Sequence, residues 1–115
     1  MNSYLSSTDN FRQLSESTPV VPRKNTWEVV KSPERLMKTF VFENRLMLID
    51  FVREILVYEN RINHHGQIRI SSLEVSVEVY THDLNRITDR DREYASTVDL
   101  IRQDIDHYGY EENQI

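Results

Sequence analysis

The stretch Leu73-Glu74-Val75-Ser76-Val77-Glu78-Val79-Tyr80 alternates apolar and polar residues without a break. A period of two is what an extended strand converts into one packed face and one wet face. Leu73, Val75, Val77 and Val79 share one face; Glu74, Ser76, Glu78, Tyr80 and His82 share the other, with Tyr80 and Glu78 read as solvated positions. A half-buried strand needs pairing neighbours and a layer to pack on, so the rest of the chain must supply both. The strand also carries His82, flanked by Thr81 and Asp83, to the end of the sheet, where a ligand could sit. Upstream stands Asn63-His64-His65-Gly66-Gln67-Ile68, so three of the four histidines of the chain fall within this region.

The neighbours can be read in order. Residues 1–24 are rich in Ser, Thr, Asn and Pro and read as an arm. Thr8-Asp9-Asn10 could cap a short helix through Phe11-Arg12-Gln13-Leu14, and Pro19 and Pro22 then enforce extended chain. A partner-binding arm is the functional alternative there. Residues 25–107 form the domain. Trp27 to Val30 and Leu36 to Phe42 read as strands, with Ser32-Pro33 turning between them. From Glu43 to Ile62 the period becomes helical, with Leu48, Phe51, Val52, Ile55 and Ile62 forming a stripe that would cover one sheet face. Asn63 ends that helix, Gln67 to Ser71 is a third strand, and Ser71-Ser72 turn into the alternating fourth. A last helix runs from Thr88 to Ile105 on Tyr94, Val98, Ile101 and Ile105. Residues 108–115 read as a charged tail. The fold class is α+β, a four-stranded antiparallel sheet with two to three helices packed on one face.

Composition narrows the function. A formal net charge of -5 argues against general nucleic-acid binding, which needs a basic face to neutralise phosphates. With no cysteine there is no disulfide, no thiol catalysis and no Cys-type zinc site. No apolar run reaches the ~20 residues of a membrane span, and the first residues lack the apolar core of a signal peptide. A cytosolic (cytoplasmic) setting is the default expectation.

The His64-His65 pair after an amphipathic helix, Thr81-His82 at a strand end and Asp91 in the first turn of the last helix together resemble the pterin-4a-carbinolamine dehydratase family. His82 lies seventeen positions after His65, and Asp91 nine beyond His82. Phe40-Val41-Phe42 stands where that family has its Phe-x-Phe strand, and the resemblance runs from about Trp27 to Ile105. Four positions depart from it. Gly66 replaces a usual Pro, and Asn60 a usual acid, with Glu59 one position off. Ser72 replaces a usual aromatic, and Leu84-Asn85-Arg86 a Gly-rich loop. Each change bears on the shape of the pocket.

The resemblance implies dehydration of a 4a-hydroxytetrahydropterin to the quinonoid dihydropterin, with no cofactor and no metal. One proton must reach the leaving hydroxyl and one must leave a ring nitrogen, and histidine can give or accept a proton near neutral pH. On the family pattern His64 and His82 form the acid–base pair and His65 holds the pterin by hydrogen bonding. Asp91 orients an imidazole or contacts the ligand, and Thr81 and Asp83 line the pocket. The residues alone leave plainer readings open. Two histidines at a helix–strand junction also fit loop positions. Thr88-Asp89-Arg90-Asp91 approximates a capping box, which would account for Asp91 without catalysis. The resemblance further implies a homodimer or homotetramer. Its second functional class is a non-catalytic binding protein, either a Rubisco assembly chaperone or a dimerisation cofactor of transcription factors. The departures at Asn60 and Ser72 favour that class; the retained histidines favour the enzyme.

Overall fold

The computed structural model describes residues 26–108. The arm, its short helix and all of the tail but Tyr108 lie outside these residues. The described elements are β1 (Glu28–Val30), β2 (Arg35–Val41), α1 (Arg45–Ile62), β3 (Gln67–Ser71), β4 (Glu74–Val79) and α2 (Asp89–His107). The strands make one antiparallel sheet in the order β1-β2-β4-β3. The alternating segment is β4, hydrogen-bonded on both sides, and its Val75, Val77 and Val79 are at most 1% exposed. Those valines, with Leu36 and Phe40 of β2, meet Phe51 and Ile55 of α1 and Tyr94 and Val98 of α2 in a single core. Both described helices therefore cover the same face of the sheet. Phe51 centres the layer, its ring 4.8 Å from Phe40 and 5.0 Å from Phe42.

Side-chain chemistry sets the ends of the helices. Asn44 caps α1, its Oδ1 accepting from the Met47 N–H at 2.9 Å. At the other end Asn63 adopts the left-handed conformation and its N–H bonds the Glu59 carbonyl. Asn tolerates that region better than most residues, so the helix stops there and the chain leaves extended through His64. α2 begins after Thr88 with the expected capping box to Asp91 and continues to His107, two residues beyond the expected Ile105.

The open face of the sheet corrects one expectation. Glu78 is 8% exposed rather than solvated. Its Oε1 accepts from Arg35 Nε at 2.9 Å and its Oε2 from Arg69 Nη1 at 3.3 Å. β2 and β3 thus each send an arginine across to the central strand, and Thr39 and Ser76 hydroxyls pair nearby at 2.9 Å. A strand bonded on both flanks leaves even its outward carboxylate enclosed, which alternation cannot reveal.

The β3–β4 turn places Ser72 at φ 58. A Cβ in the left-handed region is unfavourable, and glycine removes the penalty. Ser72→Gly is expected to raise the unfolding free energy by about 0.5–1 kcal/mol, as read from the denaturant midpoint at unchanged slope. Ser72 also sits at the far end of the hairpin from the histidines, so the departure there does not shape their surroundings.

Candidate active site

Three chain reversals converge at one end of the sheet. The α1–β3 link brings His64 and His65, the end of β4 brings Thr81 to Asp83, and the start of α2 brings Asp91. Asn63, His64, His65, Thr81, His82, Asp83 and Arg90 line one open depression. The expected residues are thus gathered in one place, with Asp91 beneath them rather than on the surface.

Asp91 is completely buried. Its Oδ1 lies 2.7 Å from His64 Nε2. Its Oδ2 accepts from the Thr88 N–H at 2.8 Å and from the Thr81 hydroxyl at 2.8 Å. Burial alone would push this carboxyl up, but the hydrogen bonds from His64, Thr88 and Thr81 outweigh it and hold it below its ordinary 3.8. Asp91 is therefore a carboxylate at neutral pH, and the bond to His64 requires that Nε2 carry the proton. That leaves Nδ1 as the ring nitrogen able to accept a proton. Capping and orienting are not alternatives here: one oxygen closes the capping box while the other holds the imidazole.

His64 is itself buried, at 8% exposed. It is not the surface residue that its position between two elements suggests. Its ring stands edge-on to Tyr94, centroids 6.2 Å apart at 84°. His65 and His82 are exposed at the rim. The His82 ring stacks on Tyr80 at 4.2 Å and 11°, so Tyr80 backs the histidine instead of merely meeting solvent. The loop after His82 closes tightly: the Thr81 N–H bonds the Arg86 carbonyl at 2.9 Å, and Asn85 takes φ 50. An asparagine thus makes the reversal without a Gly-rich loop. Asp83 is exposed on that loop.

Two contributors lie outside the residues that the sequence assigns to the site. Arg90 places a cation at the rim, its Nη2 3.4 Å from the Asn63 carbonyl. Its position in the first turn of α2 was the available signal. Glu59 is buried below the histidine pair, so the position just before Asn60 does supply an acid. Among the described residues no three His, Asp or Glu side chains gather so as to hold a metal ion, and no helix is long and apolar enough to cross a membrane.

A small α+β protein with a buried carboxylate–imidazole pair opening on two further histidines is the class that this geometry defines. The chain belongs to the pterin 4 alpha carbinolamine dehydratase family, whose pattern matches residues 7–101. A curated relative bearing that family's name, from Saccharolobus islandicus, is 30% identical over 67% of this chain and 78% of its own length. One from Prochlorococcus marinus is 28% identical over 89% of this chain and 98% of its own. Among solved structures, a transcriptional coactivator/pterin dehydratase from Brucella melitensis aligns with a TM-score of 0.64 at 23% identity, covering 68% of this chain and 83% of that one. A pterin dehydratase-like protein identified as a RuBisCO assembly factor in the alpha-carboxysome aligns at 0.61 and 20% identity, covering 70% and 93%. At those identities the likeness to both structures is one of fold.

Proposed function

We propose that the chain dehydrates a 4a-hydroxytetrahydropterin to the quinonoid dihydropterin by acid–base catalysis on His64 and His82. The observation that carries this reading is the buried Asp91–His64 pair at the floor of a depression rimmed by His65 and His82. Asp91 fixes the His64 tautomer, so Nδ1 is the basic atom and takes the proton from the pterin ring nitrogen. The buried carboxylate then stabilises the imidazolium that forms, as in other carboxylate–histidine pairs. His82, exposed and backed by Tyr80, gives its proton to the departing 4a-hydroxyl, which leaves as water. The C4a–O bond breaks, the ring nitrogen loses hydrogen, and no electron acceptor is required. His65 hydrogen-bonds the pterin, with Thr81 and Asp83 lining its seat. An absorbance assay for the quinonoid dihydropterin tests this directly; absence of turnover by the parent protein would refute it.

A second reading, a binding protein on the same fold, draws on the outward side of α1. Leu46, Ile49, Leu56 and Val57 there are each about half exposed. An apolar row of this kind marks an association surface. It supports a homo-oligomer under either reading, and a protein partner under the second. Light scattering at micromolar concentration is expected to give a mass at least twice the 13.8 kDa of the chain. A monomer mass would remove the oligomer.

A further inference from the structure

Beside the acid–base pair lies a second buried carboxylate with no part in the proposed proton transfers. Glu59 is 4% exposed. Its Oε2 accepts from the Tyr94 hydroxyl at 2.5 Å and from the Gly66 N–H at 2.8 Å. Each of the three residues comes from a different part of the fold: α1, the link into β3, and α2. Burial and the neighbouring carboxylate raise the Tyr94 phenol well above its ordinary 10, so Tyr94 stays protonated and donates.

Gly66 is fitted in two ways. Its N–H is in use, which excludes proline. A Cβ there would come within 2.7 Å of the Tyr94 hydroxyl oxygen and 2.8 Å of the Glu78 carbonyl oxygen, which leaves no room for any side chain. His64, His65 and Gly66 form the irregular link between α1 and β3. A hydrogen bond at Gly66 pins the far end of that link, as the Asn63 cap pins the near end. The same Tyr94 whose hydroxyl meets Glu59 presents its ring to the edge of His64.

We infer that Glu59, Tyr94 and Gly66 form a buried clasp that sets the course of the histidine link and the plane of the His64 ring, which makes Glu59 and Tyr94 positioning residues. The inference rests on His64 being the base, but its structural half stands apart from activity. A carboxylate is unfavourable in a core unless donors compensate it. An apolar pair would fill the same space without that demand, whereas this one ties three elements at the base of the site. The arrangement also accounts for a glycine where the family has proline.

The test uses the full chain. NMR of the substrate-free parent is expected to show a slowly exchanging Gly66 amide and a single Nε2–H tautomer of His64. Glu59→Ala should speed that exchange and shift the His64 ring signals, and should lower kcat by about tenfold or more at little change in KM. Glu59→Gln, which retains an acceptor, should restore amide protection and most of kcat. If Glu59→Ala does not fold, Tyr94→Phe keeps the ring and removes one bond; the His64 ring signals should then shift while the Gly66 amide stays protected. Variants that melt earlier but leave the His64 signals and kcat unmoved would overturn the clasp and reduce it to packing. A parent with no turnover would overturn the proposed function alone, since the amide and imidazole signals would still decide the clasp.

Discussion

His64→Gln and His82→Gln are each expected to lower the dehydration rate by roughly 10²–10⁴, the usual worth of a positioned acid or base. The two should differ in what else they do. His82 is exposed and its ring stacks on Tyr80, so its replacement should change stability by no more than about 0.5 kcal/mol. His64 is buried and bonded to a carboxylate. Truncating it to alanine removes a hydrogen bond to a charged group, a loss of about 1.5–3 kcal/mol, and strands Asp91. Glutamine can still donate to Asp91 and is the cleaner catalytic test. The measurements are turnover and thermal unfolding on the same preparations. Equal turnover by parent and both variants would end the acid–base assignment, and absence of turnover in all three would leave the binding-protein reading in front.

The contrast between these histidines shows where the sequence was informative. Alternation in β4 and the helical stripes of α1 and α2 specify the elements, because faces must be apolar at the period of the backbone. The Thr88 capping box and the Asn63 stop follow from local side-chain chemistry and are equally legible. Burial of polar groups is not. Glu78 alternates outward yet is enclosed by Arg35 and Arg69 from neighbouring strands. Glu59 belongs to the α1 stripe only if a carboxylate is admitted to the core, and it is admitted because Tyr94 and Gly66 meet it from elsewhere. His64 looks like a loop residue until α2 sets Asp91 beneath it. Each of these depends on a partner that lies far away in the chain, and such pairs become visible only once the sheet order β1-β2-β4-β3 is known.

Asp91 carries the other large effect, and it divides into two variants. Read from the capping box alone, Asp91→Ala would be worth about 0.5–2 kcal/mol. The structure raises that figure, because the carboxylate is fully buried and takes hydrogen bonds from His64, Thr81 and Thr88 at once. Removing one member of a buried charge-assisted set costs about 3–5 kcal/mol. For a domain of this size that lowers Tm by on the order of 12 °C or more. The acid limb of stability should change with it. Because Asp91 titrates below its ordinary 3.8 in the folded state, its contribution is full above that pH and is lost as the pH falls through the folded value. Asp91→Asn separates fold from chemistry. The oxygen side of the amide must face Thr88 N–H and the Thr81 hydroxyl to keep the cap, which turns the amide nitrogen toward His64 Nε2. Two N–H groups cannot face each other, so His64 must move its proton to Nδ1 and lose the lone pair that the proposed proton transfer uses. This variant should keep most of its stability, lose its acid limb, and turn over more slowly by on the order of a hundredfold or more. Ring nitrogen shifts of His64 report the tautomer exchange directly. Retention of both full activity and the Nε2–H tautomer in Asp91→Asn would show that Asp91 is a cap and nothing further.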